Sequence, residues 1–276
     1  MWKDVLKAID RRHKLGIRFN ESELSARFPI GSVIYLVGAD SNEDFRRARR
    51  RILLDVVEML KRPLNVDSDR DPYHMMFGAF FDEVNAMPAP RFLELGARAR
   101  SGNVYRTRLK SHASYVGFDL LPGRNVDIIG DAHELSRSFA AESFDVVFSV
   151  SLFEHLAMPW KVVVEINRVL RPGGLVFVAT HPALPPHELP WDFWRFNRAA
   201  FNSLFCRATG FSLLRCEEGL PCVILPLASD AALAGTARHR AFVAIAALAK
   251  KIGPADPRLA WPVPIADILE APYPAD

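Results

Sequence analysis

Three carboxylates in this chain stand where an adenosine ligand could be held: Glu94, Asp119 and Asp131. Each ends or follows a short apolar run: "RFLELG" (91–96), "SYVGFD" (114–119) and "NVDIIG" (125–130). Asp119 comes 25 positions after Glu94. A carboxylate at that point can accept both hydroxyl protons of a ribose. An acid after the next run can accept from an exocyclic adenine amine, while the backbone N–H that follows, at Ala132, serves a ring nitrogen. A dinucleotide site would want G-x-G-x-x-G after the first run, and here Gly96 is followed by "ARARSG". The loop carries Arg98 and Arg100 where glycines would let a backbone approach its ligand.

These residues need a scaffold that brings the ends of the runs together. From residue 91 the chain alternates apolar runs with helical segments. Further strands are expected at "FDVVFSV" (144–150) and "LVFVAT" (175–180). Between them "PWKVVVEINRVLRPGG" (159–174) has helical spacing at Val162, Ile166, Val169 and Leu170, then a Pro-Gly-Gly stop. Continuous apolar strands imply a sheet buried on both faces, hence a parallel α/β sheet. "GFSLLRC" (210–216) and "PCVILPL" (221–227) read as a terminal antiparallel pair, and 236–254 as a helix ending at Lys250, Lys251 and Gly253. The tail is proline-rich.

Residues 1–88 read as a mainly helical accessory region, with a short strand at 32–40 and a helix beginning at the Ser41/Asp44 capping box. Arg46, Arg47, Arg49, Arg50 and Arg51 form either a patch for an anionic partner or the solvated side of that helix, paired with Glu43, Asp44, Asp55 and Glu58. The three regions expected are thus 1–88, a ligand-binding domain at 89–227, and a C-terminal helix with tail at 228–276. Half the 276 residues are hydrophobic and 24% are charged, a globular composition. A net charge of +3 is too small to imply a nucleic-acid partner. Cys206, Cys216 and Cys222 match no zinc or redox spacing and suggest reduced thiols in a cytoplasmic protein. The N-terminus is too charged for a signal peptide, and no run of about 18 uncharged apolar residues suggests a membrane span.

"FLELGARARSG…YVGFDLLPG…VDIIGDAHEL…FDVVFSVSLFEHLAMPWKVVVEINRVLRPGG" resembles the class I S-adenosylmethionine-dependent methyltransferases. The likeness is to the group reading E-H-x-x-x-P…E-I-x-R-V-L-x-P-G-G after the fourth strand, and it covers about residues 89–215. It implies a Rossmann-like, mostly parallel sheet of seven strands with helices on both faces and the last strand antiparallel. It further implies S-adenosylmethionine as cofactor. Glu94, Leu95 and Gly96 would line its methionine end, Asp119 and Leu120 its ribose, Asp131 and Ala132 its adenine, and Ser149 would sit beside it. Most members carry two more glycines where this chain has Arg98 and Arg100. Either the site is dead, or Arg98 pairs with the methionine carboxylate, for which a guanidinium fork is suited. Arg100 is expected to be solvated, and Gly102 to open the next helix.

Methyl transfer to oxygen or nitrogen needs an in-line approach and usually a base. His155 and His181 are the candidate bases, because both follow strand ends and imidazole titrates near neutrality. His187, Trp191, Asp192, Trp194 and Arg195, in and around "PWDFWRF" (190–196), are candidate acceptor contacts. His181, His187 and Glu188 fit no known metal-ligand spacing, so no metal is expected. The reading is a methyltransferase for a small molecule or saccharide, with O-methylation favoured and a homodimer admitted. The rivals are a non-catalytic binding protein of this fold and a nucleic-acid methyltransferase, which lacks the Asn/Asp-Pro-Pro-Tyr tetrapeptide here.

Overall fold

The computed structural model describes residues 69–224, 239–269 and 273–274, together with residues 7, 10, 11, 16–20, 25–27 and 33–35. The chain divides into two compact units: Met1–Val66 with Leu225–Thr236, and Asp67–Ile224 with Ala237–Asp276. In the first unit three short strands, Arg18–Asn20, Ser25–Arg27 and Val33–Tyr35, pair antiparallel in sequence order. The first and second of these strands fall in a stretch expected to be helical. The capping box at Ser41 and the arginine cluster at 46–51 lie outside the described residues.

The second unit is built on a seven-stranded sheet. Its strands are β1 (Arg91–Leu95), β2 (Ser114–Asp119), β3 (Ile128–Ile129), β4 (Phe144–Val150), β5 (Leu170–Thr180), β6 (Phe211–Cys222) and β7 (Ala241–Lys251). Their order is β3-β2-β1-β4-β5-β7-β6. The neighbours from β3 to β5 are parallel. The last strand, β7, runs antiparallel to both β5 and β6. This is the Rossmann-like sheet the sequence implies.

Two expectations at the C-terminal side are corrected. Residues 211–222 form one continuous strand through the turn expected at 217–220, rather than two arms of a hairpin; residues 225–227 lie outside the described residues. The segment expected to be a helix at 236–254 contains β7, which fills the slot between β5 and β6. Alanine-rich "AFVAIAALAKK" has no strong local preference for strand. The ladder offered by β5, from Ile245 opposite Thr180 to Lys250 opposite Leu175, decides it. Lys251 then does something other than close a helix. Its buried Nζ donates to the carbonyls of Asn167 and Leu170, both at 2.7 Å, at the end of a neighbouring helix.

That helix is α2 (Pro159–Val169), which buries Val162, Val163, Ile166 and Val169. They meet one face of the sheet at Leu93, Leu95, Val147, Val176 and Val178. The short α3 (Arg198–Leu204) adds Phe201 to the same core. The opposite face is covered by α1 (Pro72–Ala86), which packs in the sheet's own unit, although the sequence places it in the 1–88 region expected to be accessory. Asp71 caps α1 by accepting from the His74 backbone N–H at 3.3 Å, and Pro72 occupies the first turn. Met76, Phe77, Phe80, Phe81 and Val84 are its buried residues. Phe80 stacks on Phe177 with ring centroids 4.6 Å apart, and Phe148 lies among Phe77, Phe80, Phe81, Phe92 and Phe177. Side chains alternate across a strand, so Phe92 and Phe148 meet α1 while Leu93 and Val147 meet the α2 side.

Candidate active site

A cavity of about 430 Å³ opens at the carboxyl ends of β1, β2 and β4. Strand order reverses between β1 and β4, and open α/β sheets bind ligands at such a switch. Glu94, Gly96, Arg98, Asp119, Leu120, Asp131 and Ala132 all border the cavity. Two other sequence candidates do not. Leu95 is fully buried in the core beside Ser149, its partner on β4. Ser149 is also fully buried, because β4 continues to Val150, and Ser151 takes its place at the cavity.

The carboxylates are held differently. Asp119 is fixed by backbone: Oδ2 accepts from Arg98 N–H at 3.1 Å and Oδ1 from Leu121 N–H at 3.1 Å. Asp131 caps the 3₁₀ turn Ala132–Arg137 and also borders the cavity. Its Oδ1 accepts from His133 N–H at 2.9 Å and from Nδ1 of the same residue at 2.6 Å. His133 Nε2 accepts from Met158 N–H at 3.3 Å, which puts the ring proton on Nδ1. Burial pushes the Asp131 carboxyl up, but its bonds to His133 outweigh burial and hold it below the usual carboxylate value. Glu94 goes the other way. Burial raises it to about 7, against the pull of Tyr115, whose hydroxyl donates to Oε2 at 2.5 Å.

These residues fit an adenosylated, cationic cofactor. Asp119, anchored by two backbone amides, is available to hydroxyls, and Asp131, held below the usual carboxylate value, to an amine. Gly96 adopts φ +74, and a Cβ there would lie 3.1 Å from the Leu152 side chain, so the loop's turn into the cavity depends on glycine. Gly102 does not open an α-helix as expected; only the 3₁₀ turn Tyr105–Arg108 follows.

Arg98 and Arg100 frame the cavity. The Arg98 guanidinium lies 5.8 Å from the centre of the Tyr273 ring. Arg100 pairs with Glu188 at 2.7 Å instead of standing in solvent alone. Tyr273 donates its hydroxyl to Glu188 and stacks edge-on against Trp191 at 5.3 Å. The second arginine, a loop glutamate and a C-terminal tyrosine therefore form one wall, and neither Tyr273 nor Tyr115 carried a local sequence signal.

Of the acceptor-side candidates, His155 and Trp191 border the cavity. His181, His187, Asp192, Trp194 and Arg195 do not. Asp192 and Arg195 form a bidentate pair at 2.6 and 2.7 Å, and Arg195 also donates to the carbonyls of Leu184 and Pro185. The pair staples its loop, and the guanidinium holds the Asp192 carboxyl well below its usual value. Trp194 spends its Nε1–H on the Leu156 carbonyl at 2.7 Å. Phe196 joins the core beside Phe153 and Phe201.

The histidines converge on a residue the sequence did not single out, Glu154, which is fully buried. Its Oε2 accepts from Thr180 Oγ1 at 2.6 Å, and its Oε1 lies 3.5 Å from His181 Nε2. The rings of His155 and His187 meet edge to face at 4.8 Å. Glu188, considered with His181 and His187 as a metal set, turns instead to Arg100 and Tyr273; the carboxylate among the histidines is Glu154.

Residues 94–178 match the family model described as a methyltransferase domain. The phthiotriol/phenolphthiotriol dimycocerosates methyltransferase of Mycobacterium leprae is 31% identical over 48% of this chain and 53% of that protein. The ubiquinone biosynthesis O-methyltransferase of Hahella chejuensis is 31% identical over 37% of this chain and 47% of that protein. The chain thus spans about half the length of these curated relatives. Among solved structures, the Burkholderia thailandensis 1,6-didemethyltoxoflavin-N1-methyltransferase is similar over 86% of this chain and 99% of its own, at 13% identity and a TM-score of 0.47.

Proposed function

We propose that this chain, whose residues 94–178 match the model of a methyltransferase domain, uses S-adenosylmethionine to methylate an oxygen of a small-molecule or saccharide acceptor. The carrying observation is the cavity itself: Glu94 and Gly96 at the end of β1, Asp119 at the end of the adjacent β2, and Asp131 and Ala132 after β3 border it, and His155 with Trp191 border it too. The cofactor supplies an electrophilic methyl group. Asp119 accepts the ribose hydroxyls, Asp131 the adenine amine, Glu94 the ammonium of the methionine portion and Arg98 its carboxylate. Trp191 and Leu156 exclude water from the acceptor end, which makes in-line approach more productive. The proton of the acceptor hydroxyl is handled by the cluster of Glu154, His155, His181 and His187, in which His155 is the member at the cavity.

Oxygen is favoured over nitrogen or carbon because a hydroxyl must lose a proton to become a competent nucleophile, and this cavity ends at a histidine–carboxylate cluster. Two of the curated relatives, named as ubiquinone biosynthesis O-methyltransferases, act by their names on oxygen. The unpaired cysteines Cys206, Cys216 and Cys222 support a reducing, cytoplasmic setting. Calorimetry with S-adenosylmethionine tests the cofactor half, with saturable one-to-one binding expected. Transfer from methyl-labelled cofactor to a panel of phenols, aliphatic alcohols, sugars and amines tests the acceptor half. No saturable binding refutes the proposal, and label appearing only on amines refutes the choice of oxygen.

A further inference from the structure

We infer that Glu154, His155 and His187, with His181 beside them, form a binding site for a divalent 3d metal cation of the zinc or iron(II) type at the edge of the cavity. One ligand-type atom from each of Glu154, His155 and His187 lies within 4.8 Å of the others. These residues come from separate parts of the chain: Glu154 and His155 from the 3₁₀ turn after β4, and His187 from the loop after β5. The fold, not a local motif, gathers them.

The hydrogen bonds around the imidazoles point to a metal. His155 Nδ1 donates to the Trp191 carbonyl at 2.6 Å, His187 Nδ1 to the Pro185 carbonyl at 3.1 Å, and His181 Nδ1 to the Val243 carbonyl at 3.0 Å. Each carbonyl can only accept, so each neutral ring carries its proton on Nδ1 and has its lone pair on Nε2; that of His155 and of His187 is the one offered to a metal, while His181 Nε2 accepts from Ser151 Oγ at 3.2 Å. Metal-ligating histidines are oriented in this way, with the second nitrogen held by a carbonyl or carboxylate. Glu154 gives an independent indication. Its Oε1 is buried and has no hydrogen-bond partner, although Oε2 is satisfied by Thr180. A buried carboxylate oxygen left unpaired is costly, and a cation is the group that would compensate it.

The donor set selects the metal class. Two or three imidazole nitrogens with one carboxylate oxygen suit zinc, iron(II), cobalt or nickel, whereas magnesium and calcium prefer oxygen ligands. His155 also borders the cavity, so an open coordination position there would face the acceptor end. A cation in that place would hold and acidify an acceptor hydroxyl, the same effect by which bound water is acidified at zinc. This use rests on the methyl-transfer reading; metal binding itself does not.

The test is cobalt(II) and zinc titration of the full chain after chelator treatment, followed by optical absorption for cobalt and calorimetry for zinc. One equivalent is expected to bind, with the ligand-field bands of a tetrahedral or five-coordinate cobalt site. His187→Ala is the first variant, because His187 lies outside the cofactor cavity. It is expected to weaken binding at least tenfold while leaving the melting temperature and S-adenosylmethionine binding unchanged. Glu154→Gln is expected to weaken it further. No saturable binding in the wild type overturns the inference, and so does one-equivalent binding that both variants retain. Failure to bind S-adenosylmethionine with metal binding intact would count against the proposed function alone.

Discussion

Glu94→Gln should change cofactor affinity and stability in opposite directions, and pH should separate the two. In the free protein the Glu94 carboxyl is raised from 4.5 to about 7, chiefly by burial. A raised acid stabilises the fold where it is protonated. The stabilisation is complete below pH 4.5 and is lost as pH rises to about 7. At about 1.4 kcal/mol per pH unit, the ionised carboxylate costs the free protein about 3 kcal/mol at pH 8. Glutamine keeps an acceptor for Tyr115 and removes the charge. The variant should therefore be more stable than the wild type at pH 8, by up to about 3 kcal/mol, and gain little at pH 5. In the proposed site cofactor binding reverses the sign, because the methionine ammonium would pair with the carboxylate. A charge-assisted hydrogen bond contributes about 1.5–3 kcal/mol, so the variant should bind S-adenosylmethionine about 10–100-fold more weakly at pH 8. Wild-type affinity should itself fall about tenfold between pH 8 and pH 6, where Glu94 is mostly protonated. Denaturant unfolding of the free protein and calorimetry at pH 5, 6 and 8 measure all three effects. Equal cofactor affinity of wild type and variant at pH 8, or a variant less stable than wild type at that pH, would refute the reasoning.

Arg98→Ala should weaken cofactor binding about tenfold or more if the guanidinium grips the methionine carboxylate, and binding that stays equal or improves would show that it fills the carboxylate's place. Asp119→Ala should reduce affinity more, because it removes the proposed ribose contact and also releases the Arg98 and Leu121 amides that the carboxylate fixes; calorimetry reads it, and an unchanged Kd would remove the ribose from this position. Phe148→Ala, at the centre of the α1 face, should destabilise the unit by about 3–5 kcal/mol in denaturant unfolding. A cost below about 1 kcal/mol would mean that the phenylalanine cluster is not the packed core it forms here.

The parallel half of the sheet was legible because each strand is a continuous apolar run with a polar stop. Where that signal is missing, the reading failed. β7 carries five alanines in eleven residues, and alanine is compatible with both helix and strand. Its strand state comes from pairing with Thr180 on one side and Glu218 on the other at Ile245, partners 65 and 27 positions away. Lys250-Lys251-Gly253 looked like a helix end for a sound local reason, yet Lys251 caps a different helix from a strand. Local rules can be chemically correct about a cap and still misplace its owner.

The site divides along the same line. That Glu94, Gly96, Asp119 and Asp131 border the cavity was legible because Glu94 and Gly96 stand at the end of β1, Asp119 ends β2 and Asp131 follows β3, and a strand end in sequence nearly gives position in space. The acceptor side has no such ruler. Asp192 and Arg195 looked like free polar contacts, but a bidentate pair three positions apart satisfies both, and nothing is left for a substrate. Glu154 looked like the neighbour of a histidine, yet three imidazoles surround it, two of them from beyond β5. Tyr273 reaches the wall of a cavity whose first residue in sequence is Tyr73, 200 positions earlier. Loop residues acquire their chemistry from partners that only the completed sheet brings near. The strand-end residues of this cavity were therefore written in order along the chain, and its loop residues were written in the packing.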